Sequence, residues 1–409
     1  MILDATSGPW EVWQQAERYL GGRTRSYSTF SADMDVDDAY HPQRGRASFV
    51  VPTFRVPDDA GAYLSNGIGS TLHALYRGGG SFLLPVHPQT LAALDEAERS
   101  RLTRYGAGPA ITVVPSANVR TVFVTAVDGR PVEPHFLKLH YPRRLSRFTR
   151  RLRRPIIGLQ LWVADELWRI SAPFLPEVGG AVFGHDPRQA WGYLLRSAPA
   201  DGPTYTVPFF ALHGVDVRAP HDPTLLEQLI VRSGESPVEF LTERIVRPMV
   251  RLWVSAALEA GCALEMHGQN TLFQFSADAR STRVVYRDCA VYVDPALRKA
   301  RGRPDDLPPT NVIGRDVTWP SEQVFSLAYD SFTGHHALSY LARVAAERLG
   351  VDEGELRRAA HDEFGGVGLL PDSVYYYDDR LHPDGDFVLV DTGAAPTWRP
   401  VRPITTSTS

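Results

Sequence analysis

The chain has 409 residues, 43% of them hydrophobic, and a formal net charge of −4 at pH 7. This is enough apolar material for a large core divided over two or three lobes, while the acidic balance offers no electrostatic ground for a nucleic-acid or anionic-membrane partner. Only two cysteines occur, Cys262 and Cys289, which excludes a disulfide framework and fits a reducing, cytoplasmic setting; no signal peptide and no membrane span is expected.

Pro9 to Leu20 predicts a short amphipathic helix with Trp10, Trp13 and Leu20 facing inward. Residues 22 to 60 are polar and irregular, and include Tyr40-His41-Pro42-Gln43-Arg44-Gly45-Arg46, which reads as an exposed basic loop. Gly67-Ile-Gly69 and Gly78-Gly-Gly80 match neither nucleotide fingerprint: the first lacks GxGxxG spacing and the second the Lys-Ser/Thr pair of a P-loop. Phe82 to Gln89 predicts a strand that turns into a helix from about Thr90 to Tyr105. Pro115-Ser-Ala-Asn118-Val-Arg120-Thr121 leads into a β-rich run to Val127, where Asp128-Gly129 signals a tight hairpin. A strict two-residue turn places Lys138 opposite Val119, with Arg120 on the other face. Pro131 and Pro134 disturb that pairing, because proline cannot donate to the ladder. One bulged residue would bring Arg120 and Lys138 to one face, placed to clamp phosphates.

Seven arginines lie between Arg143 and Arg154; the acidic balance of the chain argues for a mostly solvated run. Ile156 to Ile170 predicts a buried helix, and Asp201-Gly-Pro203 marks a lobe boundary. Ser236-Pro-Val-Glu239 has the pattern of a capping box and opens a helix that should stop at Gly261. Leu272 to Phe275 and Arg283 to Tyr286 then frame a hairpin. That layout brings Glu265, His267, Gln269, Asn270 and Asp288 together: two acids, an imidazole and two amides, suited to Mg²⁺ and a nucleotide. The plainer alternative is a loop after a helix and a turn residue at a strand end. His335 and His336 open a helix to Leu349 and, pointing about 100° apart, make a poor metal pair. Gly354 to Phe364 forms another helix.

Four stretches, in order, resemble motifs of the NRPS-independent siderophore (NIS) synthetases, the aerobactin-synthetase family. They are Val86-His87-Pro88-Gln89, Pro115-Ser-Ala-Asn118-Val-Arg120-Thr121, Phe136-Leu-Lys138-Leu followed by Arg150, and Glu265-Met-His267-Gly-Gln269-Asn270 followed by Arg287-Asp288. The last is the most specific. The resemblance implies an α+β, cupped-hand fold of antiparallel-sheet fingers and a mostly helical palm, usually as a homodimer. Its divisions would be a reduced thumb and the start of the fingers over 1–100, fingers over 101–203 and palm over 204–409. It also implies ATP and Mg²⁺ as cofactors and a carboxylic acid that is adenylated, then passed to an amine, hydroxylamine or alcohol. Arg120, Lys138 and His267 would be catalytic. Asn118, Thr121, Gln269 and Asn270 would join them around ATP, as would His41 and Arg46 from a shortened form of the family's His-Pro motif. His87 and Arg150 would hold the acid, with Glu265 and Asp288 toward Mg²⁺. The chain departs from the family in its shorter N-terminal part, the missing lysine of the His-Pro motif, and Asn118 where serine is usual. Two other readings stay open: an inactive homologue that binds a nucleotide or a partner, and a small-molecule phosphotransferase.

Overall fold

Runs of β-branched and aromatic residues build an antiparallel sheet of seven strands. From edge to edge it runs β1 (Phe49–Val51), β6 (Ile111–Pro115), β7 (Thr121–Val127), β8 (Arg130–Leu139), β12 (Trp191–Ser197), β11 (Glu177–Phe183) and β3 (Gly61–Ser65). The architecture comes from a computed structural model. It describes residues 8–21, 35–145, 148–186, 189–198, 204–308, 328, 333–334, 337–365, 374–377 and 398–401. The Asp201–Pro203 boundary, the His335–His336 pair and the side chain of Arg150 lie outside the described residues.

Smaller antiparallel sheets surround the large one. β2 (Thr53–Pro57), β5 (Ser81–Pro85) and β4 (Arg77–Gly78) form one, and β9 (Tyr141–Leu145) pairs with β10 (Phe148–Arg150). β13 (Tyr205–Pro208), β15 (Thr271–Phe275) and β16 (Thr282–Tyr286) form another, while β14 (Cys262–Ala263) pairs with β17 (Tyr292–Val293) and β18 (Val374–Tyr377) with β19 (Trp398–Val401). The fold is therefore α+β with antiparallel sheets, as the sequence implied.

The expected hairpins form. Val127 pairs with Arg130 across Asp128-Gly129, both residues at positive φ, as a tight primed turn requires. Leu272 pairs with Val285 in the second hairpin. The 90–105 helix is instead two helices, Pro88–Ala93 and Glu96–Thr103. Asp95 separates them, because its carboxylate accepts from the Glu98 amide and starts a new helix. Ser236 caps the helical run 237–260 by accepting from the Glu239 amide, and Gly261 ends it at φ 65°. That run carries two π-helical stretches, Phe240–Val246 and Ala256–Ala260, where amides reach five residues back: Arg247 N to Thr242 O, and Gly261 N to Ala256 O.

The N-terminal helix Pro9–Tyr19 lies between the large sheet and the β13–β15–β16 sheet. Trp13 packs with Phe123 and Phe136 of the first and with Leu272 and Val285 of the second. Its ring meets Phe136 edge-on at 4.9 Å, a favoured aromatic geometry. On the face of the large sheet that carries Lys138, the helix Arg154–Arg169 buries Ile157 and Leu161 against Val182 and Leu194.

Strand β12 approaches β11 so closely at Gly192 that a Cβ there would stand 1.6 Å from the Ala181 carbonyl oxygen. The nearest atoms are all backbone, of Ala181 and Val182, and cannot swing aside as a side chain would. Gly192→Ala should therefore cost more than about 4 kcal/mol or prevent folding, measured by urea denaturation; wild-type stability in that variant would contradict the pairing.

Candidate active site

Strand register brings three charges together, and Asp288 adds a fourth. Lys138 on β8 lies opposite Leu194 on β12, and Arg196, two residues on, shares its face and pairs with Glu177 on β11. The ammonium of Lys138 donates to Asp288 Oδ1 at 2.6 Å and to Gln160 Oε1, with Glu177 Oε1 at 3.5 Å. Arg196 Nη2 donates to the same Glu177 oxygen at 2.8 Å, and the other oxygen accepts from the Cys289 amide at 3.2 Å. Lys138, Glu177 and Arg196 are all within 3% of full burial. An isolated charge there would cost several kcal/mol, so the two cations and two carboxylates stand or fall together.

Asp288 arrives at this cluster from the end of β16 at φ 82°, in the left-handed region that Asp and Asn tolerate better than most residues. Burial pushes its carboxyl pKa upward, but Lys138, Arg196 and Arg120 outweigh that and hold it well below the usual range. Arg120 also acts on buried His140, whose pKa is held down to about 3 by burial, then by Arg153 and Arg120.

The proximity of Arg120 to Lys138 does not come from the expected single bulge. Above the turn, Val124 pairs with His135 and Thr121 with Lys138, so three residues, 132 to 134, stand opposite Thr125 alone. Pro131 and Pro134 together displace the ladder by two residues. Thr121 is therefore the partner of Lys138, and strand alternation alone would send Arg120 to the other face. Arg120 instead sits in the turn before β7, where that alternation does not apply.

The His267-Gly-Gln-Asn270 segment is a tight turn. The His267 carbonyl accepts from the amides of Asn270 and Thr271, and the Gln269 amide donates to His267 Nδ1 at 3.2 Å. An Nδ1 that accepts places the ring proton on Nε2 in the neutral form. The turn is tied to Asp288 through the preceding residue: Arg287 Nε donates to the Gln269 carbonyl at 2.8 Å, and the Arg287 amide to the Asn270 carbonyl at 2.9 Å. Arg287 Nη1 also reaches Glu17 on the N-terminal helix. Glu17 in turn accepts from the Ala117 amide at 3.1 Å, inside the Ser116–Arg120 turn that presents Asn118 and Arg120.

The remaining expected residues form a neighbouring region. His87 caps the helix Pro88–Ala93 by accepting from the Gln89 amide. Its ring lies 5.3 Å from Tyr40, 5.4 Å from Phe49 and 5.1 Å from Tyr141. Burial, more than the opposing pull of Asp37, keeps its pKa down at about 3, so it is a neutral imidazole at physiological pH. His41 stands beside Tyr40 and accepts from the Gln43 amide, while Arg46 is exposed on the same loop. Arg143, from the arginine run, pairs with Asp35 at 2.8 Å and Asp37 at 3.0 Å.

The donors do not assemble as a preformed Mg²⁺ cage. Asp288, expected toward the metal, is committed to Lys138, and among the described residues no three His, Cys, Asp or Glu side chains group as metal ligands. Four residues of the site escaped the sequence reading: Glu17, Gln160, Glu177 and Arg196. Gln160, Glu177 and Arg196 are polar residues set in apolar stretches, and Glu17 lies among the polar residues of a short amphipathic helix, so no local spacing marks any of them.

A family model described as "Ferric iron reductase FhuF-like transporter" matches residues 239–364, which take in the long helical run, the His267–Asn270 turn and the second hairpin. A search of curated protein sequences finds no match. Among solved structures, aerobactin synthetase IucC from a hypervirulent pathotype of Klebsiella pneumoniae aligns at TM-score 0.61 and 17% identity over 83% of this chain and 68% of its own. The ATP-bound aerobactin synthetase IucA of the same pathotype aligns at 0.62 and 14% over 88% and 70%. The petrobactin biosynthesis protein AsbB from Bacillus anthracis str. Sterne aligns at 0.65 and 13% over 90% and 69%. The chain has the fold of the siderophore synthetases.

The depressed Asp288 carboxyl has a consequence for stability. A carboxylate whose folded pKa lies below its ordinary 3.8 contributes stability that is fully present above that value and is lost as pH falls through and below it. Asp288→Asn keeps the left-handed backbone but leaves Lys138 and Arg196 with one carboxylate. Urea unfolding should show it less stable than wild type by about 3 kcal/mol at pH 7, with the gap narrowing as pH falls below 4. A gap that stays constant with pH would exclude the ion pair as its source.

Proposed function

We propose that the chain is an ATP-dependent ligase of the NIS synthetase type, which adenylates a carboxylic acid and transfers the acyl group to an amine, hydroxylamine or alcohol. One observation carries this reading: Arg120, Lys138 and Arg196 converge on Asp288, and the His267–Asn270 turn is fastened beside it by Arg287. The fold shared with an ATP-bound aerobactin synthetase supports it.

The chemistry explains why such a cluster is useful. A carboxylate oxygen attacks the α-phosphorus of ATP, the α–β bridging bond breaks, and pyrophosphate leaves with the electron pair. The nucleophile then attacks the acyl carbon, loses a proton, and expels AMP. In the first step two anions approach and charge grows on the leaving group. Fixed cations aimed at that charge each contribute about 3 kcal/mol of transition-state stabilisation. Lys138 is shared between Glu177 and Asp288, so triphosphate would compete with Asp288 for the ammonium while Glu177 holds the lysine in place. Gln269 and Asn270 offer amide groups to a base or ribose, and the His267 ring stands on the same turn. Mg²⁺, if it enters with ATP, would supply further positive charge to the phosphates; the residues do not form its cage in advance.

The phosphotransferase alternative lacks a general base, because Gln269 stands where a carboxylate would be needed to accept the acceptor hydroxyl's proton. Product analysis separates the readings. With ATP, Mg²⁺, hydroxylamine and a panel of dicarboxylic, amino and aromatic acids, the enzyme should form AMP, pyrophosphate and a hydroxamate. His267→Ala should lower that yield by about 100-fold in protein that still melts cooperatively. ADP as the sole nucleotide product would favour the kinase, and no turnover with any acid would favour the inactive binder.

A further inference from the structure

The N-terminal helix carries two adjacent buried charges that the proposed reaction does not use. Glu17 is fully buried and Arg18 is 6% exposed. Neighbours on a helix point about 100° apart, so the pair reaches in two directions. Glu17 accepts from the Ala117 amide, from Trp13 Nε1 at 3.3 Å and from Arg287 Nη1. Arg18 donates to four backbone carbonyls of one loop: Pro42 at 2.7 Å, Ala47 at 3.1 Å, Arg46 at 3.2 Å and Gly45 at 3.4 Å.

That loop is the one bearing His41 and Arg46. Its curvature is enforced at Gly45, where a Cβ would stand 2.6 Å from the carbonyl oxygens of both Asp38 and His41. A planar guanidinium with five N–H donors and no acceptor is suited to hold a ring of carbonyls at fixed spacing. The helix is itself anchored on the palm side. The Val217 amide donates to the Tyr19 carbonyl, the Gly21 amide to the Val215 carbonyl, and Arg218 stacks on the Tyr19 ring at 4.1 Å.

We infer that Glu17 and Arg18 are positioning residues that set the 41–47 loop, the 116–120 turn and the 267–270 turn against one another for nucleotide binding. This rests on the nucleotide-site reading above. Those three segments come from distant parts of the chain, and Glu17, Arg18 and Arg287 link them through buried polar contacts. By reciprocity, a nucleotide that touches all three should tighten the helix, and loosening the helix should weaken the nucleotide.

The test uses the full chain with Mg²⁺ and ATP as the probe. In titration calorimetry Arg18→Gln and Glu17→Gln should weaken ATP binding by roughly tenfold or more, with Arg18→Lys recovering part of the loss, among variants whose circular dichroism and cooperative melting match wild type. Hydrogen exchange on the wild-type protein supplies the measurement that survives misfolded variants. ATP should slow exchange in 9–19, 42–47 and 116–121 together, while β2 and β5 serve as a reference. Folded variants that bind ATP like wild type, or wild-type protein that binds ATP with no protection in 9–19, overturn the inference and leave the nucleotide site standing. Wild-type protein that does not bind ATP overturns both.

Discussion

A quartet of charges, three of them fully buried, sets the terms for the rest of this structure. Lys138, Arg196, Glu177 and Asp288 sum to zero, and three of them sit on adjacent strands of the large sheet. A slip of one residue in β8, β11 or β12 would turn its charge to the opposite face and leave its partners unpaired in the interior. The penalty for such an orphan exceeds what most single packing contacts contribute. The quartet therefore specifies strand register as well as chemistry, and Asp288 ties the β15–β16 hairpin to that register.

The fold was legible wherever local rules act alone. Asp128-Gly129 between apolar runs predicted its turn, Ser236 and Gly261 marked the ends of the 237–260 run, and Leu272–Phe275 paired as expected. The 265–288 stretch drew attention because chemical side chains crowd a short loop. Apart from the local cap at Asp95 that splits the 90–105 helix, what stayed hidden was non-local. Two prolines can displace a ladder by one residue or by two, and nothing nearby in sequence decides which. Only the outcome, Thr121 opposite Lys138, shows that Arg120 reaches Asp288 from a turn and not from a strand.

Glu17 and Arg18 illustrate a second blind spot. On a short amphipathic helix, adjacent Glu and Arg read as a solvated face, because buried charges are rare unless paired. Apart from Trp13, one turn back, the partners of Glu17 lie 100 and 270 residues away, and the carbonyls held by Arg18 lie 24 to 29 away, far beyond any helical spacing. Likewise Glu177 opens a strand whose seven residues are all buried, so neither alternation nor polarity distinguishes it. Arg196 is similarly concealed in β12. In each case the polar residue is explained by a partner delivered by topology.

The two π-helical stretches of the 237–260 run bear on how this protein should be compared with its relatives. A π-turn holds one residue more than an α-turn and keeps the helix intact on either side. Each takes up one residue more than an α-helix would, and so shifts the helical phase of everything beyond it by about 100° relative to an uninterrupted helix. Trp253, buried with its indole nitrogen on the Leu264 carbonyl, lies between the two. Superposition by straight helical phase would thus assign the wrong face to one side of Phe240–Val246. Single-residue gaps placed at Phe240–Val246 and Ala256–Ala260 would bring the buried positions of a strictly α-helical relative back into phase, and the apolar stripe on each side offers an internal check on where the gap belongs.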